Sequence, residues 1–230
     1  MWMLILVVSV LAAVNAVNNR LAPGFYVPVC VTTAALLVVI ARLSGLTADD
    51  LGLGSASARR GLRWGLILVV AVVTVYLAVL AVPFTRDVFQ DQRAADLTVG
   101  ELLYRVLVRV PLGTVLLEEI AFRGVLWAML ERRWGHIWAT ALSSLLFGLW
   151  HVLPSRGLTR ANAAFEALFG TGPAGVALSV VTAVAGTALA GVLLCELRRR
   201  SESLIPPMAL HYAVNSTGYV LAWAAGRWWA

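Results

Sequence analysis

Charged residues are spaced along the 230-residue chain so that six runs carry none, at 1–19, 21–41, 64–85, 134–155, 167–195 and 203–226. As a helix, at ~1.5 Å rise per residue, each run can cross the ~30 Å hydrocarbon layer of a bilayer. The pattern predicts an all-α fold: a polytopic transmembrane helical bundle of about seven spans. Their expected limits are 1–19, 23–42, 62–84, 112–131, 136–153, 173–195 and 205–226. The first lacks a positive amino-terminal flank and reads as a retained helix rather than a cleaved signal. From Glu101 the period changes. Leu102, Leu103, Val106, Leu107 and Val110 share one helical face, and Arg105 and Arg109 another. This stretch is expected to be an amphipathic helix at the interface, with Pro111 placed to kink the chain into the fourth span. The loop 154–172 holds a short apolar piece, Ala161 to Phe169. No internal repeat stands out, and the whole of 1–230 reads as a single membrane domain.

Composition agrees with the pattern. Hydrophobic residues are 60% of the chain and charged residues 13%, against roughly 25% charged in soluble domains. Too little polar surface exists to wrap that much apolar side chain in water. The formal charge of +6 comes from 18 arginines and no lysine. They sit between apolar runs, as in Arg59, Arg60 and Arg63, so they read as loop residues at a membrane surface and not as a nucleic-acid site. Counting them by side favours an inward amino terminus only weakly. Cys30 and Cys195 both fall in predicted spans without a metal-type spacing, and no disulfide is argued from them.

The informative residues are the polar ones that break the rule. An ionisable group at membrane depth costs about 2.5–3.5 kcal/mol on insertion scales, so it persists where it is paired, faces a cavity or acts. Glu118, Glu119 and Arg123 lie in the fourth span. Glu119 and Arg123, at i and i+4, can pair on one face. Glu118 lies about 100° away and is reached less easily by that cation, which makes it the candidate general base. Phe147 and His151 share a face near the end of the fifth span, and His211 and Asn215 share one in the seventh. Singly, each pair reads as packing or interhelical hydrogen bonding. Depth along the helices allows Glu118, His151, His211 and Asn215 to reach one cavity.

The order Glu118-Glu119-x-x-x-Arg123, Phe147-x-x-x-His151, His211-x-x-x-Asn215 on successive apolar helices resembles the CPBP family. These are the CAAX-type prenyl endopeptidases and the bacteriocin-processing or Abi-like intramembrane proteases. The resemblance covers about 110–220. It divides the chain into variable amino-terminal helices, 1–100, and a catalytic core, 101–226. It implies hydrolysis of a peptide bond by water activated by Glu118 and His151. His211 and Asn215 would stabilise the oxyanion, Glu119 and Arg123 would hold the geometry, and Phe147 supports them. The family has also been called a metalloprotease family, which would make Glu118, His151 and His211 a zinc site. HExxH is absent, and an imidazole on zinc could not also donate to an oxyanion, so the metal-free reading is favoured. The implied partners are membrane lipid and a peptide or protein substrate, lipidated or not.

Two other classes stay open. A Glu/His proton-relay transporter would usually show broken helices and repeated halves. A bacteriocin-immunity or scaffold protein could keep the fold without catalysis. The arginine-only, alanine- and valine-rich composition suggests a GC-rich prokaryotic genome and hence a prokaryotic plasma membrane. A bacteriocin, secreted precursor or membrane protein is the expected source of substrate there.

Overall fold

The computed structural model describes residues 1–228. Seven long helices follow the seven predicted segments in order: α1 (Trp2–Ala16), α2 (Tyr26–Leu43), α3 (Ala58–Ala81), α4 (99–134), α5 (136–150), α6 (Pro173–Ser201) and α7 (Ile205–Trp228). No strand occurs among the described residues; Asp91 and Asn162 form an isolated bridge. Four helical stretches are long and apolar enough to cross a membrane: Trp2–Leu21, Pro23–Leu43, Ala58–Ala81 and Pro173–Ser201, with mean hydropathies of 1.8 to 2.6. The site-bearing helices α4, α5 and α7 are not among these four. Their polar side chains and, for α5, its short length set them apart. The site-bearing part of α4, 117–130, is buried at all but Met129, and the four apolar stretches keep most of their surface outward.

α4 begins at a capping box. The Thr98 hydroxyl accepts from the Glu101 N–H, and the Glu101 carboxylate accepts from the Thr98 N–H, satisfying two orphan donors. Pro111 lies inside this helix and does not end it. The chain stays helical through 99–134, passing through wide, π-type turns at Arg105–Val115 and Glu119–Leu126. Wide turns shift the hydrogen-bond register and absorb the N–H that proline lacks. The amphipathic stretch is therefore continuous with the site-bearing helix. The helix ends instead at Gly135, whose φ of 78° is a left-handed conformation that suits glycine.

The two ends of the bundle are tied by different loops. At one end the Arg198 guanidinium donates to the Asp49 and Asp50 carbonyls, the Leu204 N–H to Gly52, and Arg132 to the Ser44 and Gly45 carbonyls. In this loop the Thr47 N–H and hydroxyl hold the Asp50 carboxyl below its ordinary range. At the other end Asn162 donates to the Val88 carbonyl, and Trp223 and Arg227 to the Leu97 carbonyl.

α5 and α6 approach closely because small residues face each other: Ser144 against Gly191, and Gly148 against Val184 and Ala188. A Cβ on Gly148 would lie 2.7 Å from the Val184 carbonyl oxygen and 2.9 Å from the Ala188 methyl. Gly148→Ala is therefore expected to destabilise the protein by about 1–3 kcal/mol, since backbone must move to admit it. Thermal unfolding in detergent checks this. An unchanged midpoint would mean that the helices separate freely here.

Candidate active site

α4 contributes Glu118, Glu119 and Arg123 to the site, all buried. The pair expected from their i, i+4 spacing forms: Arg123 Nη1 donates to Glu119 Oε1 at 3.2 Å, and both side chains are fully buried. The same oxygen accepts from His211 Nδ1 of α7 at 2.7 Å. A carboxylate only accepts, so His211 carries its proton on Nδ1 and turns Nε2 toward Glu118. His151 is oriented in a parallel way. Its Nδ1 lies 2.8 Å from the Phe147 carbonyl oxygen, which can only accept, so Nε2 is left free.

Glu118 stands between the two imidazoles. Its Oε2 lies 3.9 Å from His151 Nε2 and 3.8 Å from His211 Nε2. Both distances exceed a direct hydrogen bond and are short enough for one water to bridge. No described group donates to Oε2, although it is buried. Oε1, by contrast, accepts from the indole N–H of Trp150 at 3.0 Å. One carboxylate thus has an occupied oxygen and a free one, and the free one faces both histidines.

Phe147 is the packing centre of this arrangement. Its ring meets His151 edge-to-face at 4.7 Å, Phe122 at 5.2 Å and His211 at 6.2 Å, and Arg123 Cζ lies 3.8 Å from its centroid. The i, i+4 step from Phe147 to His151 thus places the aromatic ring against both histidines and the cation.

Asn215 is the exception. It lies one turn beyond His211 and lines a cavity of about 430 Å³ with Tyr76, Phe89, Arg93 and Tyr219. No side-chain hydrogen bond joins it to another described residue. Trp150 is the residue that sequence reasoning missed. It directly precedes His151, but only the fold brings its N–H to a carboxylate 32 positions earlier. Ser143 is buried and donates to the Phe122 carbonyl at 2.7 Å, so its hydroxyl is engaged structurally. Cys30 and Cys195 are buried free thiols.

The donor set bears on a metal. Among the described residues no three His, Cys, Asp or Glu groups lie together in a way that could hold one. The Nε2 and Oε2 atoms that face each other have the right chemistry for zinc, but they are not gathered as a closed ligand set.

A family model described as type II CAAX prenyl endopeptidase Rce1-like matches residues 100–217, just over half of the chain and every residue of the site just described. No curated protein and no solved structure matches the chain.

Proposed function

Because the chain belongs to the Rce1-like family of type II CAAX prenyl endopeptidases, we propose that it hydrolyses a peptide bond of a membrane-associated or lipidated substrate with a water activated by Glu118 and His151. The family makes it a CAAX-type intramembrane protease, and its apolar helices make it an integral membrane protein. α4, α5 and α7 complete seven membrane-embedded helices in this reading. The observation that carries it is the buried, unpartnered Oε2 of Glu118 facing the free Nε2 of both histidines.

A water between Oε2 and His151 Nε2 donates one proton toward each. Glu118 takes a proton as the water oxygen bonds to the scissile carbonyl carbon. His211, held by Glu119 and carrying a second proton on Nε2, donates to the developing oxyanion. A substrate carbonyl entering from the cavity that Asn215 lines would meet the Asn215 amide as the second donor. When the C–N bond breaks, the proton held by Glu118 and His151 passes to the amine leaving group. Every step uses a group of this chain and a water. Glu119, Arg123 and Phe147 position His211 and His151.

Cleavage of a panel of quenched apolar peptides, farnesylated and unlipidated, by the purified protein in liposomes tests the function. Mass spectrometry then identifies the bond cut. No cleavage of any member, together with a proton flux lost in Glu118→Gln, would instead support a relay transporter. The metal question has its own measurement. Fully active protein is expected to carry less than about 0.1 equivalent of zinc and to withstand chelators. Stoichiometric zinc with activity lost on chelation would replace the water mechanism by a metal one.

A further inference from the structure

Resting on the reading of Glu118 as the base, we propose that Trp150 is a positioning residue for it and that Asn15 of α1 holds Trp150 in place. The first helix is then a working part of the site, although it lies outside the matched 100–217.

The Trp150 N–H donates to Oε1 of Glu118, both side chains being buried. That bond fixes rotation of the carboxylate and decides which oxygen faces the histidines. Trp150 is also the last residue of α5, and His151, the other partner of Glu118, follows it directly. Whatever fixes the end of α5 therefore fixes two contacts of the base at once.

The end of α5 has a gap in its backbone hydrogen bonding. The Trp150 carbonyl would normally accept from the N–H four residues on, but that residue is Pro154, which has none. Asn15 supplies the missing donor: its Nδ2 lies 2.7 Å from the Trp150 carbonyl oxygen. The Asn15 carboxamide is itself held, with Oδ1 accepting from Asn19 Nδ2 at 2.9 Å. An amide buried in a helix of mean hydropathy 1.8 is costly unless it is bonded. Here it replaces a backbone donor that a proline removed. The chain of bonds runs from Asn19 through Asn15 and Trp150 to Glu118.

The test uses the full chain in liposomes, with kcat and KM measured on whichever quenched peptide of the panel it cleaves. Trp150→Phe, which keeps an aromatic ring and loses the donor, is expected to lower kcat about 10- to 100-fold with KM within about twofold. The benzothiophene analogue of tryptophan at the same position, equal in shape and lacking N–H, should match it. Asn15→Leu should lower kcat in the same way, and Pro154→Ala added to it should restore kcat by returning a backbone N–H to the Trp150 carbonyl. A purely structural asparagine would not be rescued by that change. In a Glu118→Gln background, Trp150→Phe should reduce the residual rate no further. Retention of kcat by both the Phe variant and the benzothiophene analogue overturns the inference, as does an undiminished loss in the Glu118→Gln background. If Glu118→Gln itself stays fully active, the reading of the base fails instead.

Discussion

Glu118→Gln is expected to lower peptide hydrolysis about a thousandfold while the protein stays folded. The argument runs through the two oxygens. Oε1 accepts from Trp150, and a glutamine carbonyl oxygen can keep that bond. Oε2 becomes an amide nitrogen facing His151 Nε2 and His211 Nε2 at 3.8–3.9 Å. A group that could take a proton from water is replaced by one that can only donate. Stability should not suffer, because the change removes a buried carboxylate with one oxygen unpartnered and so removes a desolvation cost. Turnover in liposomes and the unfolding midpoint in detergent are read together. The expected pair is loss of turnover with an equal or higher midpoint. More than a tenth of wild-type turnover in a well-folded Gln variant would remove Glu118 as the base. Glu118→Ala is the useful contrast, since it also strands the Trp150 N–H and should cost stability as well as activity.

How much of this was legible in the sequence follows the range of each interaction. The helices were legible because charge-free runs report chain able to lie in hydrocarbon, and six of the seven long helices begin and end within about six residues of the expected limits, α4 starting well before its own. The Glu119–Arg123 pair was legible because it lies within one turn. The convergence of Glu118, His151, His211 and Asn215 was argued from depth along the helices; in the structure Glu118 Oε2 lies 3.9 Å from His151 Nε2 and 3.8 Å from His211 Nε2. What could not be read depends on contacts between distant segments. Trp150 in an apolar run looks like any buried aromatic until α5 packs on α4. Asn15 looks like a polar accident in a generic first helix until its partner, the Trp150 carbonyl, comes within 2.7 Å. Pro154 held the missing clue: a proline four residues after a helix-end carbonyl announces an acceptor in need of a donor. Pro111 marked a special point of the helix, but the wide turns around it, through which the helix continues, could not be read. Asn215 was legible as sharing a face with His211 by spacing; the cavity that it lines with Tyr76, Phe89 and Arg93 was not, because those residues come from distant segments.

The second large effect is expected at Glu119, where stability and activity can be separated. Glu119→Gln leaves the Arg123 guanidinium fully buried without its carboxylate. Only Nη1 of that guanidinium has a hydrogen-bond partner; Nε and Nη2 have none among the described residues, and the face lies on Phe147. Removing one partner of a buried ion pair costs about 3–5 kcal/mol, so the single variant should unfold at a markedly lower temperature. Arg123→Met, the converse change, leaves the buried Glu119 carboxylate with His211 as its one side-chain partner and should also cost stability. The double variant Glu119→Gln/Arg123→Met removes both charges and replaces the guanidinium by an apolar chain that can pack on Phe147. Its stability should return to that of the wild type or exceed it. Its turnover should not return, because His211 Nδ1 then faces a neutral amide in place of a carboxylate at 2.7 Å. A glutamine carbonyl can still accept from Nδ1, but the imidazole loses the negative charge that supports the second proton on Nε2. Thermal unfolding and turnover on the same preparations decide the matter. A stable, inactive double variant assigns Glu119 the task of orienting His211. A stable double variant with wild-type turnover would reduce the pair to a helix staple, and the oxyanion donor would then have to be sought elsewhere than at His211.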